Sequence, residues 1–212
     1  MSSDLVSIGM KLNKSASKPP GRPRAFDADK ALDRALRLFW QKGYEGTSLA
    51  DLTAALGINR PSLYAAFGDK EALFRKAVDR YAEGPAAYVR EALKLPEARA
   101  VVERLMRGAV DLLADPRTPQ GCLLVQGALS CSKAADPIRR ELIARRTQGE
   151  VALRKRLERA IREGDLPRDA NAADLARYFV TVIHGMAVQA ASGAKRQELR
   201  RVIQTAMRAW PK

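Results

Sequence analysis

TSLADLTAALGINRPSLYAAFGDK, residues 47–70, decides how the rest of the chain is read. Ser48-Leu49-Ala50-Asp51 has capping-box spacing, in which hydroxyl and carboxylate each satisfy a backbone N–H that a helix start leaves orphaned. Leu49, Leu52 and Leu56 then form an inward stripe. In the turn Gly57-Ile58-Asn59, Gly57 takes the left-handed conformation that ends one helix and Asn59 caps the next. Two short helices joined by about three residues with a glycine have the helix-turn-helix layout. The second is unlike a core helix, because it opens Arg60-Pro61-Ser62, turns Tyr64 outward and stops at Gly68 after about two turns. At 100° per residue Leu63 and Phe67 share the inward face, Pro61 and Ala65 lie opposite, and Ser62 and Tyr64 flank them. A face this small lets the helix backbone deep into a major groove. There Arg60 offers a bidentate fork to guanine, and Ser62 or Ala65 touches base edges or a thymine methyl. Tyr64 is placed to donate to a phosphate, and Lys70, Thr47 and Ser48 lie at helix starts that favour an anion. The competing reading is a structural helix pair with Tyr64 as a rim residue.

Outward from this stretch, the chain has 212 residues, 46% of them hydrophobic, enough for a medium domain or for a small domain joined to a larger one. A formal charge of +14 favours a polyanionic partner. Residues 1–80 carry 14 basic and 9 acidic side chains, however, so +9 of that balance lies beyond the helix pair. Basicity alone therefore does not locate a nucleic acid. No run approaches the roughly 18 apolar residues of a membrane span, and the basic N-terminus lacks the apolar segment of a secretory signal, so no membrane partner and a cytoplasmic location are expected. Cys122 and Cys131, nine apart with a single histidine at 184, fit no standard zinc spacing, and no cofactor is expected.

Residues 1–25, ending Pro19-Pro20-Gly21-Arg22-Pro23-Arg24, offer almost nothing to bury and read as a flexible basic arm. Arg22 and Arg24, held extended by prolines, suit a minor groove, with a purely solubilising tail as the alternative. From Asp27 the spacing is helical almost throughout, with Ala31, Leu32, Ala35, Leu38 and Phe39 on one face of a helix ending at Gly43. A fourth helix runs from a cap at Asp69 to Gly84. Six more are expected at roughly 86–95, 97–114, 121–132, 137–163, 171–192 and 195–209, with no strand alternation and no internal repeat. The fold class is all-α, divided at 26–75 and 76–212.

Gly43-Tyr44-x-x-Thr47-Ser48, then Leu52, Ala55, Gly57, then Ser62-Leu63-Tyr64-x-x-Phe67-x-x-Lys70-x-x-Leu73 resembles the N-terminal signature of TetR-type transcriptional repressors. The resemblance implies N-terminal helices that bind double-stranded operator DNA as a homodimer, and a helical C-terminal domain from which a small-molecule effector releases it. By position Thr47, Tyr64 and Lys70 match the family's phosphate contacts, and Arg60, Pro61 and Ser62 its base-reading segment. Arg60-Pro61 departs from the commoner small residues there. The alternative is a DNA-binding protein of the same architecture acting without an inducing ligand. An enzyme is not expected: there is no phosphate loop, dinucleotide glycine pattern or nucleophile elbow.

The helix at 171–192 carries Leu175, Tyr178, Phe179, Val182, Ile183 and Met186 over more than one face, so it must be covered nearly all round. A second copy of the chain supplies that cover in the favoured reading, with Leu153, Leu157, Val182, Gly185 and Met186 at the dimer interface. The alternative is an interior helix of a monomer. Apolar positions that could line an effector cavity are Tyr88, Met106, Leu124, Leu129 and Phe179, with His184 and Cys122. Cys122 follows Gly121 at a helix start, where a thiolate is favoured, and so could sense an electrophile or oxidant; the alternative is a small buried hydrophobe.

Overall fold

The Asp27 carboxylate accepts a hydrogen bond from the Lys30 amide at 3.1 Å and so starts the first helix, α1, Ala28–Lys42. The computed structural model describes residues 27–129 and 135–211, and all regular elements among these are helical. After α1 come α2 (Leu49–Leu56), α3 (Arg60–Phe67) and α4 (Lys70–Glu83). Three of the four starts are set by the caps read from sequence. Ser48 and Asp51 form the reciprocal capping box, Asn59 accepts from Ser62 N, and Asp69 accepts from Ala72 N. Gly57 ends α2 at φ 70°, ψ 31°, the left-handed conformation that the short turn requires. Arm residues Arg22 and Arg24 lie outside the described residues.

A first core binds these four helices. Ala35, Phe39, Leu52, Leu63, Leu73, Phe74 and Ala77 are buried almost completely, each large side chain contributing about 1.5–3 kcal/mol of transfer free energy. The buried stripe of α1 is rotated from the expected one: Leu36 and Trp40 go inside with Ala31, Ala35 and Phe39, while Leu32 and Leu38 are only half-buried. Trp40 is drawn in by Tyr81, whose ring meets it edge-on at 4.8 Å, and by the Gly121 carbonyl, which accepts from Trp40 Nε1 at 2.9 Å.

The remaining helices are α5 (Tyr88–Ala92), α6 (Ala98–Leu113), α7 (Leu123–Leu129), α8 (Asp136–Glu163), α9 (Ala172–Ala191) and α10 (Arg196–Ala206). A second core gathers Val101, Val102, Leu105, Met106, Leu153, Leu157, Phe179, Met186 and Ile203 from α6, α8, α9 and α10. The division between cores does not fall at residue 75. Val78 and Tyr81 of α4, with Leu123, Ile138 and Leu142 from α7 and α8, complete the first core. The 28-residue α8, about 42 Å long, therefore enters both cores, the first near its N-terminus and the second near its C-terminus. Ion pairs between Arg75 of α4 and Glu141 of α8 at 2.7 Å, and between Arg145 of α8 and Asp79 of α4 at 2.6 Å, fasten it alongside α4.

Candidate nucleic-acid interface

The third helix is anchored from behind and bare in front. Leu63 and Phe67 are buried in the first core, whereas Arg60, Pro61, Ser62, Tyr64 and Ala65 are exposed, Tyr64 by 45%. An aromatic ring left that far out of a well-formed core is a feature of recognition surfaces rather than of packing. Pro61 sits in the first turn, where no backbone N–H is needed, and Asn59 has already taken the Ser62 amide. Arg60 forms no hydrogen bond or ion pair among the described residues, which leaves its guanidinium fork open for a bidentate acceptor.

Lys70, the first residue of α4, lies at the edge of this face. Its ammonium is 4.4 Å from the centroid of the Tyr44 ring. Burial pulls the Lys70 pKa down from the usual lysine range, and the Glu45 and Asp51 carboxylates push it back up. Ser48 is exposed, but its hydroxyl is engaged with Asp51, donating to Oδ2 at 2.7 Å and accepting from the Asp51 amide at 3.0 Å. Lys42 reaches the same carboxylate at 2.9 Å, and this side-chain bond, with two from Ser48, holds Asp51 well below the usual carboxylate range. Thr47 differs from expectation. It is fully buried and its hydroxyl donates to the Gly43 carbonyl at 2.7 Å, closing the turn between α1 and α2, so the side chain is not on the surface that a phosphate would touch.

The family model for the N-terminal region of the bacterial regulatory proteins of the TetR family matches residues 31–77, and a tetracyclin repressor-like C-terminal domain model matches residues 98–206. The HTH-type transcriptional repressor ComR of Escherichia coli K12 is 36% identical over 197 residues, covering 92% of this chain and 93% of its own length. The chain belongs to the TetR family. Among solved structures, the TetR family regulator CifR, as a cysteine-substituted variant complexed with 26-base-pair operator DNA, is 44% identical with a TM-score of 0.85, covering 90% of this chain and all of its own. A putative TetR regulator from Rhodococcus sp. RHA1 is 40% identical with a TM-score of 0.59, over 86% of this chain and 99% of its own. The molecule is thus a helix-turn-helix, DNA-binding transcriptional regulator. No helix among the described residues is long and apolar enough to cross a membrane.

Of the expected effector residues, Tyr88, Met106, Phe179 and Cys122 gather at the second core of the TetR-family regulator, whereas Leu124 does not join them. Burial, and after it the nearby Cys122, pushes the Tyr88 hydroxyl pKa up. Met106 and Phe179 are buried in the second core, Phe179 against Tyr178 and Trp210, and the Tyr88 ring lies so close on Gly108 that a Cβ there would meet it at 2.3 Å. Leu124 packs against the first core, and the side chain of Leu129 lies outside the described residues. His184 sits beside Arg146 and Glu150 of α8; burial first and then Arg146 lower its pKa, with Glu150 opposing. Cys122 packs against both cores, its sulfur accepting from Tyr81 Oη at 3.4 Å, while Cys131 is outside the described residues.

Clefts open on the surface formed by the described residues. One of about 380 Å³ lies between α9 and α10 beside Tyr178, Val182 and Val202, and one of about 470 Å³ lies between α1, the end of α4 and the loop after α6. None of the six effector candidates with described side chains lines either. Contrary to expectation, the interface candidates Leu153, Leu157 and Met186 are buried in the chain's own core, each no more than 1% exposed, so they are not available to a partner. Val182 is half-buried and Gly185 exposed. The open apolar stripe on α9 is instead Tyr178, Val182, Gly185 and Val188, spaced three or four apart and therefore on one face.

Proposed function

We propose that this regulator represses transcription by binding an inverted-repeat operator as a homodimer and is released from it by a small molecule. The observation that carries the reading is the outward face of α3, five exposed residues from Arg60 to Ala65 around an anchoring Leu63, with Tyr64 at 45% exposure on its flank. The likeness to CifR, solved with its operator, supports placing that face in a major groove. One short recognition helix reads too few base pairs to select a site in a genome, and two-fold symmetry doubles the contacts. Arg60, Pro61 and Ser62 read bases in this arrangement, while Tyr64 and Lys70 hold phosphates. The exposed stripe of α9 supports the dimer, and the likeness to the tetracyclin repressor-like C-terminal domain over residues 98–206 supports the release by a small molecule.

Base reading and positioning separate experimentally. Phosphates are the same at every sequence, so Lys70→Ala weakens specific and non-specific binding alike. Arg60→Ala costs about 1–3 kcal/mol at the cognate half-site and much less elsewhere. A binding selection on randomised half-sites, run for wild type and Arg60→Ala, decides the point. An unchanged preferred sequence with uniformly lower affinity makes Arg60 a positioning residue.

Cys122 favours a second reading, in which the effector is an electrophile or oxidant. Its sulfur is hydrogen-bonded to Tyr81 of α4, so a group added there presses on the helix that carries Lys70 at its other end. Alkylation rates of Cys122→Ser and Cys131→Ser variants, each followed by operator binding, test this. Modification of Cys122 without loss of binding overturns it.

A further inference from the structure

We propose that Tyr44 is the positioning residue for the Lys70 ammonium, holding it over an aromatic face so that its N–H donors stay free for a DNA phosphate; the proposal rests on the reading that Lys70 contacts phosphate. Lysine is a flexible point charge, and fixing its four-carbon stem in one geometry costs side-chain entropy at the moment of binding. A carboxylate can fix it beforehand, but only by taking its donors and cancelling its charge. That is the state of Lys42, whose ammonium is 2.9 Å from Asp51. Lys70 is arranged differently. It forms no ion pair or hydrogen bond among the described residues, yet its ammonium is 4.4 Å from the Tyr44 ring centroid, within the range at which a ring quadrupole attracts a cation.

The ring is itself held rigid. Phe39 stacks on it at 6.4 Å between centroids and 20° between planes, and Phe74 meets it edge-on at 5.2 Å, both phenylalanines being fully buried in the first core. Tyr44 therefore joins the core of the DNA-binding helices to a cation on their surface. Lys70 is half-buried, and burial pulls its pKa down; the Glu45 and Asp51 carboxylates raise it electrostatically, without an ion pair to Lys70 among the described residues.

The test is a double-mutant cycle read by binding to operator and to non-specific duplex over a range of salt. Cation–π attraction at a partly exposed site predicts about a two- to five-fold loss per half-site for Tyr44→Leu, so about four- to twenty-five-fold for a dimer, equal on both DNAs. Lys70→Ala reduces the salt slope by about one unit per protomer, whereas Tyr44→Leu leaves the slope in place, because the ammonium still reaches its phosphate from a looser start. In the Lys70→Ala background Tyr44→Leu has no further effect, and Tyr44→Phe, which keeps the π face, binds as wild type. An equal loss from Tyr44→Leu with and without Lys70 overturns the proposal and makes Tyr44 a packing residue. Loss in Tyr44→Phe overturns it in favour of a hydroxyl contact. If Lys70→Ala leaves both affinity and slope unchanged, the phosphate reading of Lys70 fails and this proposal with it.

Discussion

Thr47 and Lys70 sit on neighbouring helix starts and match the same kind of family position, yet their physical situations are opposite. The Thr47 hydroxyl is spent inside the protein on the Gly43 carbonyl, and the residue has no exposed surface. Replacing it by valine keeps the shape but leaves that carbonyl without its side-chain donor, so Thr47→Val is expected to lower stability by about 1–3 kcal/mol. Its DNA-binding salt slope is expected to match wild type once the variant is folded. Thermal melts and salt titrations of the same preparation check both halves. A reduced slope in a fully folded Thr47→Val would return the hydroxyl to the interface. His184 is informative in another way, because it is the only histidine in the chain. Burial, and after it Arg146, hold its folded pKa below the usual 6.5, with Glu150 pulling the other way and Glu150 itself paired with Arg177 at 2.9 Å. The unfolded chain therefore takes up the proton first as pH falls, and the stability present above about 6.5 is lost as pH drops through the folded value. Between pH 7.5 and 5.5 carboxylates hardly titrate. The melting temperature is expected to fall over that interval in wild type and to stay level in His184→Gln; parallel curves would place the pH dependence elsewhere.

At the scale of elements, α8 is the unusual member, because it contributes Ile138 and Leu142 to the core of the DNA-binding helices and Leu153, Leu157 and Ala160 to the other core. Leu142→Ala is expected to destabilise by about 2–5 kcal/mol and to loosen α1 and α4 together. Leu157→Ala should cost a similar amount while sparing them. Hydrogen exchange of α1 and α4 amides distinguishes the two variants, and equal deprotection of those helices in both would show that the cores unfold as one. This sharing was not legible in sequence. The spacing of Leu142, Leu153 and Leu157 fixes which face of α8 is apolar but not which neighbour receives each part of it. The caps at Ser48, Asn59 and Asp69 were legible because side chain and orphan N–H lie within three residues of each other. The outward face of α3 followed from the same local arithmetic. Trp40 did not, since its burial depends on Tyr81 and Gly121, far along the chain, and neither did the inward turn of the Thr47 hydroxyl or the seat of Lys70 on Tyr44.

For the whole molecule, the question is what covers α9. Leu153, Leu157 and Met186 are satisfied within one chain, so their apolarity says nothing about a second. Tyr178 and Val188 are 40% and 45% exposed on the face that also carries Gly185, and this apolar stripe is the surface on which the proposed dimer is tested. Gly185 is its midpoint, exposed, and a Cβ built there meets no atom within 4 Å, so substitution is free of internal strain in the single chain. A second copy packed across the stripe would bring two backbones together at that glycine, and a larger charged side chain would hold them apart. Gly185→Glu is therefore expected to keep the helical circular dichroism and cooperative melting of wild type while running as a monomer in light scattering at micromolar concentration. Operator binding should fall by about 10²–10⁴, since each half-site is then engaged without the effective concentration supplied by its partner. Binding to a single half-site should barely change. A Gly185→Glu variant that remains dimeric would remove α9 from the interface, and one that is monomeric yet binds the full operator as tightly as wild type would remove the dimer from the recognition mechanism.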